Sequence, residues 1–135
     1  MKENEIEHLQ RKELLKKIVE TYFEALQYKN FSAFPFSDDI VLRTPLNPGG
    51  ANIPLTGKQS VYEQWWLPLQ AALDGLTIKI IDHYYSDSMT GIITKAEITL
   101  AGSGITLRTA DLFIINEEGK VTSQENHFDA SPLRG

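Results

Sequence analysis

Apolar residues recur at three- and four-residue steps between positions 4 and 28: Ile6, Leu9, Leu14, Ile18, Val19, Tyr22, Phe23 and Leu26. That period predicts one long helix with a buried stripe. Glu7, Arg11, Lys12, Lys16, Glu20 and Glu24 occupy its other face, and Glu3 and Glu5 suit the positive end of its dipole. Asn30 is placed to cap a short second helix, Phe31 to Phe36, which Pro35 limits. Ser37-Asp38-Asp39 reads as a turn, and Ile40 to Thr44 as a first strand closed by Pro45. Leu46 to Pro54 is too rich in Pro and Gly for a regular element. A third helix is predicted over 58–74, with Val61, Trp65, Leu69 and Leu73 as its stripe and Tyr62 and Trp66 widening it. Pro68 should kink this helix, and one of the two tryptophans should face away from the stripe centre. Strands follow over 76–86, 91–101, 105–116 and 120–128, joined by connections short enough to make antiparallel hairpins. Asp129 to Gly135 reads as an irregular tail.

Helices followed by a meander of strands define an α+β domain whose sheet is covered on one face by the helices. A sheet that curves around helices without closing leaves a conical pocket between them, and the 46–54 segment is then either a lid over its mouth or a plain long connection. At 135 residues the chain is expected to be a single domain, 1–135. The absence of Cys excludes disulfides, thiolate metal sites and a cysteine nucleophile. Thirteen Lys and Arg against 18 Asp and Glu give a net charge of -5 without a basic run, so neither nucleic acid nor an anionic membrane surface is an expected partner. No apolar stretch approaches the roughly 20 residues of a membrane span. Met1 to Lys17 lacks the apolar core of a signal peptide, so the expected location is the cytoplasm.

Candidate chemistry lies in polar residues on apolar faces. The 105–116 strand alternates Ile105, Leu107, Thr109, Asp111, Phe113 and Ile115 on one face. A carboxyl mid-row loses its water, which raises its pKa and lets it act as a neutral donor. Asp111 is therefore either an acid or oxyanion donor, or a buried carboxyl satisfied by neighbours. Tyr22 sits on the helix stripe, where its hydroxyl needs a partner. On the last strand Thr122, Gln124, Asn126 and Phe128 share one face, and Val121, Ser123, Glu125 and His127 the other. A one-residue slip would bring Glu125 and His127 inward as an acid–base pair. His8, His83 and His127 have no metal-type spacing, and no metal or cofactor is implied.

The element order resembles the nuclear transport factor 2-like superfamily, which includes SnoaL-like proteins and ketosteroid isomerase. The stretches that carry the resemblance are Tyr22-Phe23-Glu24-Ala25-Leu26 with Asn30-Phe31, and Thr56-Gly57-Lys58-Gln59-Ser60-Val61 with Trp65-Trp66. Ala110-Asp111-Leu112-Phe113 through Gly119-Lys120-Val121, and His127-Phe128-Asp129, complete it. It implies a cone-shaped, curved antiparallel sheet packed on three N-terminal helices, a cystatin-like arrangement. By resemblance to ketosteroid isomerase, Tyr22 and Asp111 match the pair that forms its oxyanion hole, and Gln124, Asn126 and Phe128 point to the pocket. That enzyme's general base, an Asp before a Pro, is replaced by Thr44 before Pro45, and a Thr hydroxyl is no base at neutral pH. The Asp–Arg–Asp array of limonene epoxide hydrolase is not reproduced, because Arg108 and Asp111 fall on opposite faces of one strand.

The reading that follows is a domain binding an apolar or amphipathic small molecule. Its expected site comprises Asp111, Tyr22 and Asn126 as reactive or orienting groups, lined by Leu42, Thr44, Trp65, Phe113, Gln124 and Phe128. As an enzyme it would isomerise, cyclise or dehydrate a carbonyl compound. As a binding or assembly module it would do no chemistry, and both readings stand at this point. Leu112 and Ile114 on the outer strand face, with Lys79, Lys95, Glu97 and Thr99 around them, predict a homodimer packed sheet to sheet.

Overall fold

In the computed structural model, residues 2–134 are described, with side chains from 5 to 133; the expected dipole partner Glu3 and the final Gly135 lie outside these. Helix α1 spans Lys2–Gln27. Val19, Tyr22, Phe23 and Leu26 are buried as the stripe requires; Leu15, outside the predicted stripe, is buried while Leu14 and Ile18 are only half-buried, and Ile6 and Leu9 are exposed and add nothing to the core. The helix closes in a Schellman turn: Asn30 N donates to Ala25 O at 2.9 Å and Lys29 N to Leu26 O at 3.3 Å. Lys29 takes the left-handed position, with φ 53°.

The second helix is only a 3₁₀ turn, Phe31–Ala33, and the Asn30 side chain does not cap it. Asn30 Oδ1 instead accepts from Ser32 Oγ at 2.8 Å. Strand β1 is Phe36–Arg43, so Ser37-Asp38-Asp39 lies inside a strand rather than in a separate turn. Five residue steps on β1, from Phe36 to Val41, face two on its neighbour, from Val121 to Ser123. The turn-forming residues are absorbed in this bulge.

After a short strand β2 (Leu55–Thr56) comes the third helix, and it is broken. An α segment α2 (Lys58–Val61) passes into a π turn over Tyr62–Trp66, then α3 (Leu67–Leu69) and a 3₁₀ turn (Gln70–Leu73). Pro68 cannot donate to the carbonyl four residues back and its ring crowds that carbonyl. The chain relaxes this through a π turn rather than a simple kink. As a result both indoles are buried, Trp65 at 3% exposure and Trp66 at 2%, against the expectation that one faces away.

Strands β3 (Thr77–Tyr85), β4 (Gly91–Thr99), β5 (Thr106–Ile115) and β6 (Val121–His127) form the predicted meander. The curved, unclosed sheet has the order β2-β1-β6-β5-β4-β3. It is mixed rather than wholly antiparallel: β1 runs parallel to β6, and every other pairing is antiparallel. Parallel neighbours need a long crossover, and here the whole meander supplies it. The tail is not wholly irregular, since a 3₁₀ turn covers Ser131–Arg134. An aromatic cluster of Tyr22, Phe23, Phe31, Phe34, Phe36 and Phe113 joins the helices to the concave sheet face.

Candidate functional site

β5 delivers Asp111 to the concave face. Leu107, Thr109, Asp111, Phe113 and Ile115 are buried, while Thr106 and Arg108 are exposed on the other side. Strand register then sets a polar row across the sheet: His83 opposite Thr94, Thr94 opposite Asp111, and Asp111 opposite Asn126. Directly opposed residues share a face, so the four side chains stand side by side. His83 Nδ1 and Thr94 Oγ1 are 2.8 Å apart. Gln124 Nε2 donates to Asn126 Oδ1 at 2.9 Å.

Asp111 is the least satisfied member. Thr109 Oγ1 donates to its Oδ2 over a long 3.4 Å, and its Oδ1 has no partner although the residue is only 3% exposed. Burial pushes this carboxyl up from 3.8 to about 7, against a small opposing pull from the Thr109 hydroxyl. Near neutral pH the group therefore populates both forms, and the neutral one can donate a hydrogen bond to an oxygen that is gaining charge. Burial first, and the Asp111 charge next, hold the Tyr22 phenol above its ordinary range. It remains an O–H donor. Gln124 favours the ionised phenol, yet Gln124 Oε1 makes no well-formed bond of its own.

Tyr22, Trp65, Asp111, Asn126 and Phe128 line one cavity between the helices and the sheet. Its empty space, open mouth included, is about 550 Å³. The rest of the wall is almost wholly aliphatic, including Leu26, Leu69, Leu73, Leu100 and Leu107. Among the described residues that line it there is no Lys, Arg or His. Trp65 Nε1 is a second buried polar atom without a partner.

Four expected lining residues lie elsewhere, all of them buried. Phe113 packs behind Tyr22, ring centroids 5.0 Å apart. Gln124 holds Asn126 from the side. The Leu42 carbonyl accepts from Asn47 Nδ2 at 3.0 Å. Thr44 Oγ1 accepts from Leu46 N at 3.3 Å and so braces the following loop. That loop is pinned again by Arg43 Nη1, which donates to Ala51 O and Asn52 O at 3.1 Å each. It contributes Leu46 to the cavity wall, and the tail contributes Leu133. Neither residue stands out in sequence, because an isolated Leu in a loop or tail carries no period.

The last strand adopts the first of the two registers, with Gln124 and Asn126 buried and His127 exposed. A shift between Ile114 and Ile115 brings Val121 to the inner face as well, which strict alternation had placed outside. Glu125 and His127 pair on the outer face at 3.4 Å, away from the cavity. Among the described residues no group of three or more His, Cys, Asp or Glu is placed to hold a metal.

No family model and no curated protein matches the chain. Solved structures do match in shape. A SnoaL-like protein of unknown function from Burkholderia thailandensis superposes with a TM-score of 0.70 at 15% identity, covering 86% of this chain and 94% of that one. Rv0760c from Mycobacterium tuberculosis, in complex with estradiol-17beta-hemisuccinate, gives 0.63 at 17% identity over 86% and 94%. The epoxide hydrolase/cyclase-like enzyme SalBIII, described in pyran ring formation in salinomycin, gives 0.68 at 15% identity over 90% and 92%. At such identities the likeness is one of fold.

Proposed function

The chain has the nuclear transport factor 2-like fold, and from that premise we propose that it binds an apolar or amphipathic small molecule in the cavity beside Asp111. The observation that carries this reading is the unpartnered Asp111 Oδ1 at the wall of a largely apolar cavity. An unsatisfied buried polar atom costs roughly 1–3 kcal/mol, and a ligand oxygen would relieve it. As an enzyme the protein would act on a carbonyl compound by isomerisation, cyclisation or dehydration. Asp111 would serve as acid or oxyanion donor, Tyr22 as the second donor, and Asn126 as the orienting amide. The steroid derivative bound by Rv0760c and the cyclase-like description of SalBIII support the substrate type.

One observation favours a non-catalytic ligand-binding module of the same fold. Thr44 stands where a base would be needed, and its hydroxyl is committed to the Leu46 amide. In either reading the outer sheet face is proposed to pair two copies of the chain.

Asp111→Ala separates ligand site from structural carboxyl. For a ligand site, thermal stability above pH 7 is held or raised, while a small molecule retained by the purified protein, seen by native mass spectrometry, is lost. A large fall in stability with retention unchanged would refute the proposal.

A further inference from the structure

We infer that the Trp65 indole N–H is a second polar anchor of this cavity, and that the ligand is a neutral molecule with two separated oxygen functions. The inference rests on the ligand-binding reading above and adds to it a donor and a ligand class. Trp65 Nε1 is buried and has no hydrogen-bond partner. The same residue lines the cavity that Asp111, Tyr22 and Asn126 line. An indole N–H only donates, so what it lacks is an acceptor: a carbonyl, ether or hydroxyl oxygen. Buried indoles normally find such a partner. Both tryptophans lie in the π turn over Tyr62–Trp66, next to Pro68. Phe34 packs on Trp65 with ring centroids 5.8 Å apart, and Trp66 at 5.9 Å. Single π turns inside helices occur often at functional sites.

The lining sets the ligand's charge. Among the described residues no Lys, Arg or His lines the wall, so a carboxylate or phosphate would find no cationic partner among them. Burying an uncompensated anion beside Asp111 is strongly unfavourable. A neutral molecule remains, with one oxygen at the Asp111 end, an apolar body against the leucines and a second oxygen at Trp65. Neither orphan atom is touched by solvent. Engagement therefore requires the wall to give, and the wall includes Leu46 from a loop, Leu69 and Leu73 from the broken helix, and Leu133 from the tail.

Two matched pairs of neutral ketones test this: cyclohexanone with 1,4-cyclohexanedione, and 2-decalone with decalin-2,6-dione. Binding is followed by ¹H–¹⁵N spectra, in which the indole signal of Trp65 is assigned from the Trp66→Phe spectrum. In at least one pair the diketone is expected to bind roughly tenfold tighter than its parent, about 1.4 kcal/mol, and to move the Trp65 indole signal downfield. Trp65→Phe should bring the two members of each pair within about twofold of one another, as expected for loss of a single donor. If diketones gain nothing and the indole signal stays in place while monoketones perturb the Asp111 carboxyl, the Trp65 anchor is refuted and the ligand site stands. If no ketone perturbs either group, both readings fall.

Discussion

Asp111 ties function to pH. Its carboxyl is pushed up from 3.8 to about 7 in the folded chain. Between those values the folded state holds a proton that the unfolded state has released. Stability is therefore greatest below about pH 4 as far as this group is concerned, and it falls as pH rises toward about 7. Three pKa units correspond to about 4 kcal/mol over that interval. Asp111→Asn keeps the shape of the neutral acid and cannot ionise. Urea unfolding across the range should find variant and wild type alike near pH 4, with the variant increasingly more stable up to about pH 7 and a constant gap above. Parallel curves would mean that the folded carboxyl is not held neutral.

At the scale of elements, Arg11 joins α1 to the ends of two hairpins. Its guanidinium donates to Met89 O at 2.9 Å, Asn116 O at 3.1 Å and Ile115 O at 2.7 Å. A planar fork can serve three carbonyls at once, and an ammonium on a flexible stem cannot. Arg11→Lys is expected to lower unfolding stability by roughly 2 kcal/mol despite keeping the charge, as read by urea midpoint at constant m-value. An unchanged midpoint would show the fork to be dispensable. Nothing in the sequence marks Arg11, which falls on the polar side of the helical wheel. That is the general limit of what the pattern conveys. Period-two alternation places Asp111 on a buried face, and period 3.6 places Tyr22 there. Which residues stand opposite Asp111 depends on register, and register on bulges that alternation cannot see. Thus the row from His83 through Thr94 to Asn126 emerges only from the strand pairing. Thr44, Leu42 and Gln124 show the complementary failure: their burial follows from the pattern, but whether a buried side chain faces the cavity or the packing behind it does not. That neither Trp65 nor Trp66 faces away has one local reason, the π turn beside Pro68.

For the whole molecule, the outer sheet face is the surface with an apolar strip left uncovered. Leu112 and Ile114 are only half-buried there. Register adds what the strand pattern alone does not: Tyr84 opposes Ile93, and Ile93 opposes Leu112. Tyr84 is 54% and Ile93 40% exposed, so the apolar strip crosses three strands. Around it stand both signs of charge, with Lys95 opposite Asp82 and Arg108 opposite Glu97. A face of this kind suits a two-fold pairing with itself, in which each copy's apolar strip meets the other's and the mixed rim sets the register. Each chain carries a net charge of -5, so copies repel at long range, and a pairing of them would have to draw on this strip. Sedimentation equilibrium at micromolar concentration should therefore give a dimer for the wild type and a monomer for Ile93→Lys. The Asp111 carboxyl should titrate alike in both, because Ile93 and Asp111 belong to opposite faces of the sheet. A monomeric wild type would sink the pairing, and a dimeric Ile93→Lys would move the interface to another surface.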